Sequence, residues 1–346
     1  MATHAATSPP PQAGRSRRKH IPRARRAYGA LDLGTNNCRL LIARPGSDGF
    51  YVIDAFSRIV RLGQGLLESG RIADEAIEKA IDALSICAAK LERRDVWISR
   101  NVATEACRRA ANGREFVERV HAETGIALDV ITPAEEARLA VLGCQALFGK
   151  NYSHALVFDI GGGSTEISLV ETDGQRAIRQ LGWASVPWGV VSLTETEPRH
   201  HPTLESRVTS FDRMRGRVAD KIEEAMPMLT PPGGFSGLQL LGTSGTITTL
   251  TSMHLGLETY DRSKVDGAWV ENAAMRAIAS GLSRMSFDER AAQPSIGRDR
   301  ADMVVAGCAI LDAILEAFPT EELCVADRGI REGILRVLMG RDGHRL

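Results

Sequence analysis

One pattern occurs twice in the chain of 346 residues, and it restricts the possible folds more than any other feature. An apolar strand that ends in Asp32 is followed by the turn GTNN and by a second apolar strand up to residue 43. The same arrangement recurs at residues 155–170, where Asp159 precedes the turn GGGST. The offset between the copies (159 minus 32) is 127 residues, and Gly34 falls opposite Gly161. A repeat of about one domain length predicts two similar domains that face one another, not a solenoid of short repeats.

Helix and strand patterns alternate along the rest of the chain. Apolar residues recur at helical spacing from residue 77 to 91. The alternation predicts an α/β chain with two related lobes and a cleft between them. The expected units are a tail (1–27), lobe I (28–150) and lobe II (151–346), whose last helix could pack back on lobe I. Further strands are predicted at residues 96–98, 127–131, 177–193, 238–241 and 323–325, and further helices at 114–123, 133–148, 203–226, after residue 242 and from residue 330 onward.

Composition and charge exclude several classes of function. The first 26 residues carry seven Lys and Arg, no acid and three consecutive prolines, which predicts a disordered basic tail without the apolar segment of a secretory signal. The remainder holds 36 bases and 43 acids, a net charge of −7, so specific nucleic-acid binding is not expected. The apolar runs fall far short of the ~20 residues of a membrane span, so no membrane partner is predicted. Six scattered cysteines without a C-x-x-C pair predict free buried thiols and a cytoplasmic location.

The two repeated turns carry the features of a phosphate site. Small residues let backbone N–H groups approach a phosphate closely and form an anion nest. An Asp at the end of the preceding strand can hold a hydrated divalent cation, which makes Asp32 and Asp159 the candidate metal ligands. One such turn alone would more often be an ordinary hairpin, but two copies in register favour phosphate binding. The candidate phosphate-binding residues of the turns are Gly34, Thr35, Asn36 and Asn37 in the first and Gly161, Gly162, Gly163, Ser164 and Thr165 in the second.

A third glycine-rich element, GTSGT at residues 242–246, follows a predicted strand and enters a helix. The N-terminus of such a helix is a ready contact for an anion, so Gly242, Ser244 and Gly245 are further candidates for phosphate binding. This signal is weak when it occurs alone. Together with the two repeated turns, it resembles the set of three glycine-rich elements that is expected of the actin-like phosphotransferase superfamily.

A narrower resemblance rests on five strings. They are DLGTNNCRLLIA (32–43), EEARL (135–139), FDIGGGSTEISLV (158–170), GTSGT (242–246) and DRGIREGIL (327–335). In this order the chain resembles the exopolyphosphatase/guanosine-pentaphosphatase (Ppx/GppA) family. The resemblance implies two actin-like, ribonuclease H-like lobes with the active site in the cleft between them. It also implies Mg²⁺ as cofactor and hydrolysis of terminal phosphate from inorganic polyphosphate or guanosine pentaphosphate.

Two adjacent glutamates at the start of the helix at 133–148 can be separated physically. Glu135 stands three residues after Thr132, where a capping-box side chain reaches back to the cap N–H, so a structural role is favoured for it. Glu136 is rotated by about 100° and lies on another face of the helix. The resemblance assigns this second glutamate the role of general base, against the alternative of a solvated helix residue.

Other candidates depend mainly on the resemblance. Arg108 matches a phosphate-contacting arginine of the family, with a surface arginine as the equal alternative. Glu166 and Ser164 match positions that orient water or metal and contact phosphate. Arg39 and Arg61 are weaker candidates for phosphate contacts, and His200 and His201 are expected to be solvated.

The leading hypothesis is an exopolyphosphatase that releases terminal phosphate by Mg²⁺-assisted attack of water. Hydrolysis of guanosine pentaphosphate by the same machinery is the alternative, and the sequence does not choose between the two substrates. A protein that senses guanosine penta- or tetraphosphate by binding, with little turnover, is the alternative of another class. A homodimer is an expectation from the family alone.

Overall fold

The computed structural model describes residues 22–47, 49–173, 178–198 and 200–344. The part of the predicted tail up to residue 21 lies outside these residues. Residues 22–27, which the sequence placed in a disordered tail, are ordered against lobe I. The Arg26 guanidinium forms an ion pair with Asp342 at 3.0 Å and lies 4.0 Å from the centroid of the Trp97 ring.

Lobe I is built on a five-stranded sheet with the order β3-β2-β1-β4-β5. Strands β1, β2 and β3 are antiparallel neighbours, and β4 and β5 continue the sheet parallel to β1. The pairing of β1 with β2 sets Asp32 directly opposite Arg39. The strands are β1 (Ala27–Leu33), β2 (Asn37–Gly46), β3 (Gly49–Ile59), β4 (Val96–Ala103) and β5 (Asp129–Val130).

Lobe II contains a six-stranded sheet with the order β10-β11-β9-β6-β7-β8. Its strands β8-β7-β6-β9-β11 repeat the order and the directions of the five strands of lobe I. The prediction of two related α/β lobes is therefore confirmed. The strands are β6 (His154–Ile160), β7 (Thr165–Thr172), β8 (Ile178–Val186), β9 (Leu238–Thr243), β10 (Trp269–Glu271) and β11 (Glu322–Ala326).

Helices cover both sheets. In lobe I, α2 and α4 pack on one face of the sheet and α13 on the other. In lobe II, α12 is apolar on nearly every side and is buried in the largest core cluster, as expected of a helix without a polar face. The helices are α1 (Leu66–Ser69), α2 (Asp74–Arg93), α3 (Glu105–Arg109), α4 (Gly113–Thr124), α5 (Pro133–Cys144), α6 (Val190–Thr194), α7 (Leu204–Leu229), α8 (Gly245–His254), α9 (Arg262–Val265), α10 (Asn272–Arg284), α11 (Phe287–Ala291), α12 (Val304–Ala317) and α13 (Ile330–Arg341).

The backbones of α5 and α13 touch where the helices cross. A Cβ on Gly143 would overlap the carbonyl oxygen of Gly329, and a Cβ on Gly333 would overlap that of Leu139. Glycine is required at both positions because no side chain fits between the helices. Since α13 also packs on β1 and α5 contacts the sheet of lobe II, the crossing holds α5 and the loop before α13 relative to both sheets.

Several predicted boundaries were wrong. The helix predicted to reach residue 148 ends at Cys144 and continues as a 3-10 turn over Gln145–Leu147. The strand predicted to reach residue 193 ends at Val186, because Pro187 cannot donate to the ladder. The prediction of free buried thiols is confirmed for all six cysteines. In the described part of the chain, no helix combines the length and the apolar character that a membrane span needs.

Candidate active site

A cavity of about 470 Å³ lies between the lobes, and most of the predicted site residues line it. Its lining comes from the two repeated turns, the start of α5, the N-terminus of α8 and the segments 296–300 and 303–304. The predicted residues that line the cavity are Asp32, Gly34, Thr35, Asn36, Asn37, Arg39, Glu136, Asp159, Gly161, Gly162, Gly163, Ser164, Ser244 and Gly245. The three glycine-rich elements that local patterns predicted to bind phosphate are far apart in sequence and line the same cavity.

The two repeated turns are in contact with each other. A Cβ on Gly162 would lie 2.8 Å from Cβ of Thr35, and one on Gly163 would lie 2.9 Å from Oγ1 of Thr35. The third element adds the N-terminus of α8, where the Ser244 hydroxyl accepts a hydrogen bond from the Ile247 N–H at 3.1 Å. Backbone N–H groups of turns and helix N-termini attract anions. The two turns and the start of α8 line one cavity, an arrangement suited to an anion.

Two aspartates lie at the base of the cavity. Burial raises the pKa of Asp32, and the positive charge of Arg39 opposes that shift. The pKa of Asp159 is raised to about 7, first by burial and then by the negative charges of Glu166 and Asp32. Oδ1 of Asp32 is buried without a hydrogen-bond partner among the described residues. A buried carboxylate oxygen in this condition fits a site for a cation.

Arg39 lines the cavity and lies opposite Asp32 in the pairing of β1 with β2. Burial lowers its pKa, as does the positive charge of Arg331 on α13, while Asp32 and Asp159 oppose the shift. The charges of the cavity therefore include Arg331, which sequence reasoning missed although it lies in the string DRGIREGIL.

Glu136 reaches the cavity from the first turn of α5. Its side chain is 8% exposed, and its backbone N–H donates to the Thr132 carbonyl, so the helix start fixes its position. Its carboxylate Oε2 lies 3.4 Å from both Nη1 and Nη2 of Arg108. The pKa of Glu136 is raised well above its ordinary value by burial and by the charge of Glu166, and Arg108 opposes the shift. A carboxylate with a raised pKa is a stronger base than one in water.

Arg108 and Glu166 do not line the cavity. The sequence analysis predicted a phosphate contact for Arg108 and orientation of water or metal by Glu166. The Arg108 guanidinium is bound by side chains of its own lobe and does not line the cavity. The Glu166 Oε1 accepts hydrogen bonds from the hydroxyls of Ser164 at 2.7 Å and Ser185 at 2.9 Å. Burial raises the pKa of Glu166 to about 7, and the two hydroxyls oppose the shift. Ser164 lines the cavity, but its hydroxyl proton is directed to Glu166 and not to a phosphate.

Three further residues lie away from their predicted places. The Thr165 hydroxyl donates to the carbonyl of Trp188 at 2.8 Å and is buried. Gly242 lies inside β9, where a Cβ would come 2.6 Å from the ring of Phe158, so it serves the packing of the sheet. Arg61 bridges the lobes by an ion pair with Asp302 at 3.3 Å. The periodicity of the sequence could not show these partners, because they come from distant segments.

Glu135 has a structural role, but its carboxylate does not complete the predicted capping box. The Thr132 hydroxyl accepts from the Glu135 N–H at 3.2 Å, which completes one half of the predicted capping box. The carboxylate turns away from the cap and binds Arg138 at 2.7 Å and Arg100 at 2.6 Å. These arginines lower the pKa of Glu135 to about 2.

Sequence reasoning also missed the wall formed by residues 297–300. Arg298 and Arg300 line the cavity there, in the sequence GRDR. The turn begins at Gly297, whose φ of +69° favours glycine. Glu105 is another lining residue that the sequence analysis missed. A basic turn beside a glycine is common on protein surfaces, so the pattern alone did not distinguish it.

A second cavity of about 840 Å³ adjoins the first. The two share Asn36, Arg298 and Met303 as lining residues. Apolar side chains such as Leu67 and Phe287 line it, as do His200 and His201. The Arg298 guanidinium lies 5.2 Å from the centroid of the Phe287 ring.

Comparisons with known proteins agree with this arrangement. The family model described as the Ppx/GppA phosphatase family matches residues 41–341. The chain is 32% identical over 328 residues to exopolyphosphatase 2 of Mycobacterium tuberculosis, covering 90% of this chain and 98% of that protein. It is 26% identical over 307 residues to a guanosine-5'-triphosphate,3'-diphosphate pyrophosphatase of Aliivibrio fischeri, covering 89% of this chain and 58% of that protein. The crystal structure of the Aquifex aeolicus Ppx/GppA family member is similar with a TM-score of 0.74 at 30% identity, covering 92% of this chain and 99% of that one.

Proposed function

Because the chain belongs to the Ppx/GppA phosphatase family, whose members have the actin-like two-lobed fold, we propose that it releases the terminal phosphate of inorganic polyphosphate by attack of water. The observation that carries the proposal is the meeting of two phosphate-binding turns and one buried glutamate in a single cavity. The turns bind the anion, and the glutamate is a base for water. Together they supply the parts that hydrolysis of a phosphoanhydride needs.

Some residues of the cavity are proposed to bind phosphate, and others to stabilise the negative charge that develops during hydrolysis. The N–H groups of Gly34 and Gly161 donate to the carbonyls of Asn37 and Ser164 within their own turns. Other backbone N–H groups of the two turns and of the start of α8 are proposed to bind the phosphates. Arg39 adds a buried positive charge at the base of the cavity. Donors that are already in place when negative charge develops on the departing oxygen stabilise the transition state without reorganisation.

Asp32 and Asp159 are proposed to hold Mg²⁺. The fit rests on the partnerless buried Oδ1 of Asp32 and on the hard carboxylate oxygens that Mg²⁺ prefers. Among the described residues no group of three His, Cys, Asp or Glu side chains converges on one point. Mg²⁺ normally uses one or two protein carboxylates and keeps several waters, so two aspartates suffice. The bound ion would offset the negative charge of the phosphate oxygens.

Glu136 is proposed as the general base. Its carboxylate would accept a proton from the attacking water, and its position at the first turn of α5 places it at the cavity wall. Arg108 contacts the same carboxylate and thereby orients it. Glu166 is proposed to act from behind the cavity by raising the basicity of Glu136 through its charge.

Release of phosphate from polyphosphate of defined length tests the proposal. We expect turnover that depends on Mg²⁺ in the wild-type protein. The variant Glu136→Gln should lose turnover while still binding polyphosphate, and Glu135→Gln is the matched control one residue away. A wild-type protein that binds polyphosphate without releasing phosphate would overturn the proposal in favour of a binding protein.

Guanosine pentaphosphate is the second candidate substrate, and the second cavity favours it. Its volume of about 840 Å³ is within the range of small-molecule sites, and it opens beside the proposed site of the terminal phosphate. Phe287 offers a face on which a nucleobase could stack. The variant Phe287→Ala would raise the KM for guanosine pentaphosphate and leave the KM for polyphosphate unchanged if the nucleotide uses this cavity. Equal effects on both substrates would remove the observation that favours the nucleotide.

We also propose a cytoplasmic location and a homodimer. The six free buried thiols support a reducing compartment. The net charge of −7 outside the first 26 residues supports the absence of a nucleic-acid partner.

The proposed homodimer rests on the family resemblance alone. Light scattering of the full chain would measure the oligomeric state, and a monomeric mass would refute the dimer.

A further inference from the structure

The side chain of Glu105 joins the cavity to the arginine behind it. Glu105 begins α3, lines the cavity and is largely buried. Its Oε2 accepts hydrogen bonds from the Arg108 Nε at 3.1 Å and from Nη2 at 2.5 Å. The same arginine reaches Glu136 only at 3.4 Å, from both terminal nitrogens. Arg108 is therefore held more tightly by Glu105 than by the proposed base.

All the N–H groups of Arg108 are in use. A guanidinium has five N–H donors and no acceptor. Two donate to Glu105, two make the long contacts to Glu136, and one donates to the Ile131 carbonyl at 2.6 Å. Arg108 consequently has no free donor for a phosphate in this arrangement. Its position is set by Glu105 on one side and by the backbone of Ile131 on the other.

The second glycine turn fixes Glu105 in turn. A Cβ on Gly163 would lie 2.8 Å from Cγ of Glu105, so the turn packs directly on the aliphatic part of the side chain. Glu105 belongs to lobe I and Gly163 to lobe II. The contact places Glu105 between the phosphate-binding turn and the arginine that contacts the base.

We propose that Glu105 is a positioning residue for hydrolysis: it holds Arg108 at long distance from Glu136, so that Arg108 orients the base without forming a close ion pair with it. Without the negative charge of Glu105, Arg108 would turn its freed N–H groups to Glu136. A close, charge-assisted pair would make the carboxylate a weaker base. Glu105 touches neither the water nor the phosphate in this role. The inference rests on the proposed hydrolysis by Glu136.

A double-mutant cycle tests whether Glu105 acts through Arg108. The variants are Glu105→Gln, Arg108→Gln and the double variant, each assayed for kcat and KM with polyphosphate of one length. In Glu105→Gln we expect kcat to fall severalfold, up to about tenfold, because a close ion pair with Arg108 makes the carboxylate of Glu136 a weaker base, with KM within about twofold of wild type. In the Arg108→Gln background the same change should alter kcat by less than about twofold, because residues that act as a unit are not additive. If Arg108→Gln is too slow for a steady-state assay, single-turnover release of phosphate is measured in that background, because the variant must remove the positive charge for the cycle to be valid.

Two controls separate positioning from a general loss of structure. Glu105→Asp keeps the carboxylate and should recover most of the kcat lost in Glu105→Gln. Glu118→Gln removes an exposed glutamate that pairs with Arg114 at 2.9 Å on α4 and should behave as wild type. The midpoint of thermal unfolding is measured for each variant.

The outcomes distinguish this inference from the proposed function. Wild-type protein without phosphate release would overturn the proposed hydrolysis and the inference with it. Wild-type turnover together with equal losses from Glu105→Gln in both backgrounds, or with no loss at all, would overturn the inference alone. A loss in KM instead of kcat would assign Glu105 to substrate binding and would likewise overturn the positioning role.

Discussion

Substitution of two adjacent glutamates should separate activity from stability. Glu136→Gln is expected to abolish turnover and leave the free energy of unfolding nearly unchanged. Glu135→Gln is expected to retain turnover and to lower the free energy of unfolding. Both changes keep the shape of the side chain and remove one negative charge. The opposite results follow from the surroundings of the two carboxylates, which differ although the residues are neighbours in sequence.

The loss of activity in Glu136→Gln follows from the chemistry of the base. An amide cannot accept the proton of the attacking water, and a positioned general base contributes about 10²- to 10⁴-fold to a rate. Two opposite effects keep the change in stability small. The raised pKa of Glu136 costs stability above pH 4.5, and the amide avoids that cost. The amide also weakens the contact of this side chain with Arg108, which acts in the other direction. Arg108 keeps Glu105 and the Ile131 carbonyl as partners.

The loss of stability in Glu135→Gln follows from its ion pairs. Arg138 and Arg100 lower the pKa of Glu135 to about 2 from its ordinary 4.5. At 1.36 kcal/mol per unit this would correspond to ~3 kcal/mol. The side chain is 24% exposed, and screening by water reduces the expected loss to about 1 kcal/mol. Because the folded pKa is depressed, this stability is present above pH 4.5 and disappears as the pH falls through about 2.

Two measurements on the same samples decide the matter. Phosphate release from polyphosphate with Mg²⁺ gives turnover, and urea unfolding at pH 7 and pH 3 gives the free energy of unfolding. Glu135→Gln should differ from wild type by about 1 kcal/mol at pH 7 and by less at pH 3. If Glu135→Gln loses turnover and Glu136→Gln retains it, the assignment of the base is wrong.

Three further predictions concern the metal, the helix crossing and the tail. Asp32→Asn and Asp159→Asn should each raise the Mg²⁺ concentration needed for half-maximal activity, since each removes an anionic oxygen; an unchanged Mg²⁺ titration in both would exclude the proposed metal ligands. Gly333→Ala should destabilise the protein by about 1–3 kcal/mol or more in urea unfolding, because α5 leaves no room for a methyl group. Gly281→Ala, on a helix with open space around it, should stabilise by about 0.5–1 kcal/mol, and equal effects of the two changes would contradict the close crossing. Removal of residues 1–21 should raise the KM for long polyphosphate at low salt but not above about 0.15 M, where charges are screened beyond roughly 8 Å; an unchanged KM at both salt levels would exclude steering by the tail.

The parts of the site that could be predicted from the sequence are those encoded locally. The strand–Asp–turn–strand unit of Asp32 and Asp159 carries its own signals, namely apolar alternation, an acidic strand end and small turn residues. Its repetition allowed the two-lobed fold to be predicted, because similar sequence units are expected to form similar strand topologies. The N-cap at Thr132 also lies within a few residues of the helix it starts. Short-range physics suffices for such elements.

The remaining parts depend on contacts between distant segments. The sequence gives no sign that Arg61 meets Asp302, or that Glu135 turns from its cap to Arg100. The role of Glu135 was predicted from near neighbours and that of Arg61 from the resemblance, and both side chains form ion pairs with residues distant in sequence. Gly242 was predicted to bind phosphate from its local pattern, whereas its packing against the ring of Phe158 on the neighbouring strand decides its role.

The charges of the cavity show why these distant contacts matter for function. The pKa values of Asp159 and Glu166 are raised to about 7, so the folded protein binds more protons than the unfolded chain between their ordinary values and pH 7. Stability without a ligand therefore falls as the pH rises through this interval. Arg39 and Arg331 offset only part of the cost, and they repel one another. A site that keeps carboxylates buried at such a cost is stabilised by whatever binds there with positive charge, since a ligand that binds only the folded state adds to its stability. The same burial that weakens the ligand-free fold makes Glu136 a strong base, which is the property that hydrolysis requires.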